Sequence, residues 1–332
     1  MAKILIIRFS SIGDIILTTP VLRCLKLQQP NTEIHYLTKR IFEPLIQANP
    51  YIDKIYSINS NVSEVIPELK KENYDHVIDL HKNFRSIHTL LGLRKPFSTF
   101  TKLNIRKWLY VHLKINKLPE IHISERYLTS VRKFGVIYDG NGLDYFVPGT
   151  KEVELSSLPS SHQKGYILIA LGGLHYTKQI PDDKIVEVCS KLGMPVILAG
   201  GKEDERRAMS IIEKTGEICF NACGKYSINQ TASLIRQSLA VISADTGLMH
   251  IAAALKAPVV SVWGNTVPEF GMYPLFPKGL RNLSQIIEVE GLVCRPCSKL
   301  GKKKCPKRHF NCMNQIESAE IVDKTISLIL QK

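Results

Sequence analysis

KILIIRFSSIGDIILTTPVLRCLKLQ, residues 3–28, opens with an apolar run, Ile4–Ile7, short enough to be a buried strand. The run stops at Phe9-Ser10-Ser11-Ile12-Gly13-Asp14. A helical pattern follows, with Ile15, Ile16, Val21, Leu22 and Leu25 near helical spacing. Thr19-Pro20 kinks or restarts that helix, because proline fits a first turn and a preceding threonine can cap it. The stretch therefore predicts a strand, a polar turn and a helix whose N-terminus faces the turn. Open parallel sheets bind ligands beyond the carboxyl ends of their strands, where such a turn lies. Gly13 permits close backbone approach, and Asp14 brings a carboxylate to that place. Ser11 and Asp14 also suit a second role, capping the helix.

The alternation continues outward from this unit. Ile34–Leu37, Lys54–Ile58 and His76–Leu80 read as strands, Ile41–Ala48 and Val62–Lys71 as helices. Residues 81–135 are basic and mostly helical in pattern. Residues 139–164 are rich in Gly, Pro and Ser and read as a link between domains. A second series follows, with strands at Tyr166–Leu171, Val196–Ala199, Ile218–Phe220, Leu239–Ser243 and Val259–Val262. Helices are expected at Asp182–Leu192, Glu203–Lys214, Ser227–Gln237 and Thr246–Leu255, and an amphipathic helix at 317–331. Strands alternating with helices imply parallel sheets covered on both faces. The expected division is 1–150, 165–315, and a last helix, 316–332, returning to the first domain.

The 332 residues are comfortable for two domains, and 44% hydrophobic with 22% charged residues is ordinary for a globular enzyme. The formal net charge of +14 favours polyanionic partners without choosing among them. A four-residue apolar run near the start is too short for a signal core, and no run reaches a membrane-spanning length. A cytoplasmic protein with reduced cysteines is expected. There is no G-x-G-x-x-G after the first strand, no Walker A sequence and no Asp-x-Asp.

The second chemical motif is Ser243-Ala244-Asp245-Thr246-Gly247-Leu248-Met249-His250, between a buried strand and a helix. The N–H groups of Thr246, Gly247 and Leu248 would meet a diphosphate, with His250 one turn further on. Alternatively, Asp245 caps the helix and His250 packs. Lys178, after Gly172-Gly173, could neutralise phosphate or simply be solvated. Glu203, after Gly200-Gly201, could accept ribose hydroxyls or be first-turn charge. Cys294, Cys297, Cys305 and Cys312 form C-x2-C-x7-C-x6-C. They could hold a structural zinc, although the middle spacing is short for common zinc modules, or remain unliganded thiols.

Taken together, these motifs resemble glycosyltransferase family 9, the ADP-heptose:lipopolysaccharide heptosyltransferases, over nearly the whole chain. Ile6 to Asp14 with Thr19-Pro20 match the family's opening pattern, and Asp245-Thr246-Gly247-Leu248 with His250 match its second signature. The resemblance implies an α/β, GT-B fold of two Rossmann-like domains facing a central cleft. It implies inverting, metal-independent transfer of heptose from ADP-heptose to the lipopolysaccharide inner core, with no cofactor and no bound metal. Asp14 would be the base. Lys178, Asp245, Thr246, Gly247, Leu248 and His250 would hold the donor diphosphate, Glu203 the ribose and Tyr226 the adenine side. Ser11, Gly13, Arg85, Arg94, Arg106 and Lys107 would meet the anionic acceptor. Peripheral contact with the anionic inner face of the inner membrane is also expected.

Another GT-B transferase, using a different nucleotide sugar or glycan, is the alternative within enzymes. A nucleotide-sugar epimerase needs no acceptor groove, and the basic 81–107 region argues against it. Nucleic-acid binding is suggested by charge alone, without aromatic platforms or a basic recognition helix.

Overall fold

The computed structural model describes residues 2–331. The first sheet contains β1 (Ala2–Ile7), β2 (Thr32–Lys39), β3 (Lys54–Ile58), β4 (His76–Asp79) and β5 (Phe97–Thr99). Its order is β3-β2-β1-β4-β5, parallel throughout. The second contains β6 (Ile167–Ala170), β7 (Val196–Ala199), β8 (Cys219–Asn221), β9 (Ala240–Ala244), β10 (Val259–Trp263) and β11 (Ser284–Glu288). Its order is β11-β10-β9-β6-β7-β8, also parallel. Both are doubly wound: the order reverses beside β1 in one sheet and beside β6 in the other, which creates a ligand-binding crevice at the strand ends there.

Central strands β1, β6, β7 and β9 are buried almost end to end, as parallel strands covered on both faces must be. After β1 the helix breaks into Ile12–Ile16 and Thr19–Gln28, with Pro20 in the first turn of the second piece. Ile41–Ala48, expected to be α-helical, is instead a 3-10 helix over Arg40–Leu45, with Pro44 inside it.

The chain divides into two compact units. One runs to Lys102 and resumes over Ile121–Phe146; the other is Leu103–Glu120 with the chain from Val147 onward. The polar stretch 139–164 is thus packed on both sides of the boundary. Arg23 donates to Asp139 at 2.8 and 3.0 Å, to Asp144 and to the Gly142 carbonyl at 2.9 Å. Beyond the boundary, Val153 N donates to Ser233 Oγ at 3.0 Å.

Two segments lie elsewhere than the sequence suggests. The helix Asn104–Leu113, expected in the first domain, belongs to the second unit, where Tyr110 meets Phe270 edge-on at 6.1 Å. The last helix, Ser318–Leu330, expected to return to the first domain, belongs to the second unit. It lies on the second sheet, with Ile321, Val322 and Leu328 in the core and Ser318 Oγ donating to Glu187 at 2.6 Å. Its apolar stripe is the complement of the β9–β11 face. Among the described residues, no helix is long and apolar enough to cross a membrane.

Candidate active site

In the first unit, the reversal point brings the end of β1 beside the end of β4. Arg8, 7% exposed, ties them together. Its Nη1 donates to the Leu80 carbonyl at 2.5 Å and to Tyr127 OH at 3.0 Å, and its Nε to the Ser10 carbonyl at 2.8 Å. The remaining nitrogen, Nη2, pairs with Asp14 Oδ1 at 2.6 Å. Burial opposes the Arg8 charge, but Tyr127, Asp14 and Tyr36 outweigh it and the net pKa shift is upward. Arg8 is a fixed cation. Asp14 Oδ2 accepts from Ser11 Oγ at 2.8 Å and Ser11 N at 3.2 Å. The capping reading of Ser11 and Asp14 therefore holds, and the Arg8 pair goes beyond it. Asp14 keeps a quarter of its side chain exposed, so its carboxylate is both oriented and accessible. Gly13 is buried in the same turn.

His81 completes this cluster. Its Nδ1 accepts from Phe9 N at 3.4 Å. Burial, reinforced by Arg8 and Lys102, pulls its pKa down to about 3, so the ring is neutral with its proton on Nε2. Asp79 Oδ1 holds the turn beneath it through the N–H groups of His81 and Lys82 at 2.8 and 2.9 Å.

In the second unit, the reversal point lies between β6 and β9. The loop after β6 carries Lys178, and the loop after β9 carries Asp245 and Thr246. Lys178 Nζ and Asp245 Oδ2 pair at 2.6 Å, and Thr266 Oγ1, from the loop after β10, donates to the same carboxylate oxygen at 2.9 Å. Three loops thus converge on one carboxylate. Thr246 caps the helix Gly247–Ala254 with extended backbone, and its hydroxyl lies 3.0 Å from Ser243 Oγ. Asp245, Thr246, Gly247 and Leu248 are all partly exposed, leaving the first turn open to an anion. His250 is buried beneath that turn, 2% exposed.

Glu203 is exposed at the end of β7, and Tyr226 is half-buried just before the helix Ile228–Gln237. Asp204, adjacent to Glu203, is buried and accepts from Gly201 N at 2.9 Å. A Cβ at Gly200 would lie 2.6 Å from its Oδ2, so the packing of this strand end favours glycine. Arg207 secures the Lys178 loop at both ends, through the Leu171 carbonyl at 2.8 Å and through the Ile180 carbonyl. Asn265, 1% exposed, has neither side-chain nitrogen nor oxygen hydrogen-bonded.

The expected acceptor cations do not all lie together. Arg85 and Arg94 are exposed in the first unit, Arg85 Nε donating to the Ser60 carbonyl at 3.2 Å. Arg106 is exposed, but in the second unit. Lys107, expected to meet the acceptor, also lies in the second unit. It is 8% exposed, and its Nζ lies 5.2 Å from the centre of the Phe270 ring.

Tyr127, Thr266 and Arg207 were not singled out from sequence; Arg8 entered only within the opening pattern and His81 only among the basic residues of 81–107. Arg8 alone had a local signal, a charge ending an apolar strand. As for metals, Glu33, His35 and Glu72 bring ligand atoms within 4.8 Å of one another. Lys3 pairs with both carboxylates, at 3.4 and 2.7 Å, and Lys54 with Glu72 at 2.6 Å. That charge is already offset. The Cys294–Cys312 thiols are in no disulfide. Burial raises the Cys312 pKa to about 12, and Cys297, Cys294 and Cys305 push the same way.

The sequence profile of glycosyltransferase family 9 (heptosyltransferase) matches residues 62–307. The chain is 25% identical over 352 residues to lipopolysaccharide heptosyltransferase 1 of Campylobacter coli, covering 96% of this chain and 97% of that protein. Its fold is similar to that of the family 9 glycosyl transferase of Veillonella parvula, with a TM-score of 0.79, 18% identity, and 100% and 98% of the two chains covered. The E. coli ADP-heptose lps heptosyltransferase II gives a TM-score of 0.74 at 20% identity, covering 99% of each chain. Two Rossmann-like units in this company are the GT-B fold. The chain belongs to glycosyltransferase family 9, the heptosyltransferase family, and is a glycosyltransferase.

Proposed function

We propose that the enzyme transfers heptose from ADP-heptose to the inner core of lipopolysaccharide, with inversion at the anomeric carbon and without a catalytic metal. The observation that carries this reading is the convergence of Lys178, Asp245 and Thr266 beside the open first turn of Gly247–Ala254, at the second sheet's reversal point. A diphosphate placed there competes for Lys178, now paired with Asp245, and takes the N–H groups of the helix start. Those groups stabilise the charge that builds on departing ADP. Asn265, next to Thr266, adds a buried amide with unused donor and acceptor capacity, a cost of about 1–3 kcal/mol per group that a polar ligand atom would relieve.

Asp14 accepts the proton of an acceptor hydroxyl while that oxygen bonds to the anomeric carbon and the bond from that carbon to the ADP oxygen breaks. Arg8 and Ser11 orient the carboxylate. Acceptor charge finds cations of one sign in the first unit: residues 80–102 contain five Lys or Arg and no Asp or Glu. Within it, the helix Phe84–Leu93 exposes Phe84, Ile87 and Leu91 at helical spacing beside Arg85. An exposed apolar stripe flanked by cations suits the headgroup region of an anionic bilayer, where a lipid-linked acceptor resides.

The test is thermal stabilisation by nucleoside diphosphates, followed by transfer to a lipid-linked inner-core acceptor. Stabilisation by ADP and ADP-heptose, with product of inverted anomeric configuration, is expected. Stabilisation by UDP but not ADP would replace the donor assignment.

A further inference from the structure

The stretch 289–310, between β11 and the short helix Asn311–Asn314, contains no helix or strand. Only Pro296 and Phe310 in it are buried. A long irregular segment with so little core of its own needs another source of order. It is nonetheless fastened to the donor side of the site at two points. Arg295 donates to the carbonyls of Gly264 at 2.5 Å and Thr266 at 3.1 Å. Thr177, next to Lys178, donates its N–H to the Lys302 carbonyl at 3.1 Å, and its Oγ1 accepts from Lys302 N at 2.8 Å. The positions of Lys178 and Thr266, which share Asp245, therefore depend on how this segment is held.

Residues 294–312 carry four cysteines, seven Lys or Arg and no acidic residue. Cys305 and Cys312 pack against the core of the second sheet, and Cys294 Sγ lies 4.0 Å from His309 Nε2. Lys114 Nζ donates to the carbonyls of Pro296 at 2.7 Å and Cys294 at 3.3 Å, which places a cation over the first Cys pair. We propose that Cys294, Cys297, Cys305 and Cys312 bind one structural metal ion, Zn²⁺ or iron, through four thiolates, and that this ion fixes the loop supporting Lys178 and Thr266. Four sulphurs in a tetrahedral set select these ions. Binding a divalent ion releases four thiol protons to solvent and leaves a doubly negative centre. The surrounding Lys and Arg residues offset that charge. No three of the sulphurs lie within 4.8 Å of one another, so binding draws the loop inward.

The full chain, purified without a histidine tag under reducing conditions, is assayed for zinc and iron by plasma mass spectrometry; about one ion per chain is expected. The identity of the metal separates the two candidates. Reconstitution with Co²⁺ should give thiolate charge-transfer and tetrahedral d–d bands. Cys297→Ser with Cys312→Ser should abolish metal and bands, whereas Cys24→Ser, on the first unit, should retain both. If the double variant does not fold, the cobalt spectrum of the native chain decides. Removing the ion should weaken ADP binding about tenfold through misplaced loops, an effect that rests on the donor assignment above. If the ion is present but ADP binds neither form, the donor assignment fails and the metal centre stands. No metal in the purified and cobalt-treated chain, retention by the folded double variant, or oxidation of the native four into two disulfides would overturn the proposal.

Discussion

Asp14 has more partners than a capping residue needs. Ser11 supplies the cap, while Arg8 adds a fixed cation held by four carbonyl, phenol and carboxylate oxygens. Asp14→Asn keeps an acceptor for Ser11 and removes the basic oxygen. Turnover should fall by roughly 100-fold or more, the scale of a general base, with ADP affinity little changed. Near-normal turnover would leave Asp14 a structural partner of Arg8. Lys178→Ala should show the opposite division. It removes a cation that a diphosphate would claim, so the donor constant measured by calorimetry should rise by about tenfold or more. An unaltered constant would mean that Lys178 serves only Asp245.

Elements with strong periodicity were legible in the sequence. The central strands and the helices Asp182–Leu192 and Ile228–Gln237 lie where apolar spacing put them. The edge strands β5 and β11 were missed for a physical reason: each has one neighbouring strand and is mostly part-exposed, so neither needs an apolar run. The turns that carry Asp14 and Asp245 are fixed by local motif and could be read. Tyr127 could not, since its contact with Arg8 spans 119 residues. Nor could the chain that ties β4 to β5. Lys133 Nζ can only donate, so His76 Nδ1 accepts at 2.9 Å; His76 Nε2 then donates to Ser98 Oγ at 3.1 Å, which donates to the Ser130 carbonyl at 2.6 Å. The arrangement requires a neutral imidazole, and burial together with Lys133 lowers its pKa from 6.5 to about 4. The unfolded chain binds the proton first as pH falls. Stability should therefore decline from about pH 6.5 downward at up to about 1.4 kcal/mol per pH unit, levelling near pH 4. In urea unfolding across that range, His76→Gln should remove about 3 kcal/mol of the decline. An unchanged pH slope in the variant would contradict the neutral assignment.

At the scale of the whole molecule, the proposed donor site offsets the diphosphate charge with cations and helix-start N–H groups, and on that proposal brief EDTA treatment and added Mg²⁺ should both leave turnover unchanged. A strict requirement for Mg²⁺ or Mn²⁺ would show that the donor site has been misread. Arg85→Ala with Arg94→Ala should raise the apparent acceptor constant about tenfold and flatten its salt dependence, while ADP binding stays constant. Loss of ADP binding with acceptor binding intact would reverse the assignment of the two units. Their covalent connection has a further consequence. The chain crosses from one unit to the other at 102/103, 120/121 and 146/147. A chimera built by a single cut near residue 147 would import a foreign helix in place of Asn104–Leu113, with nothing selected to meet Phe270 or Pro296. A graft that respects the packing exchanges 1–102 together with 121–146 and leaves 103–120 native. With the acceptor on the first unit, as proposed, its preference could then be transplanted between relatives as a discontinuous cassette.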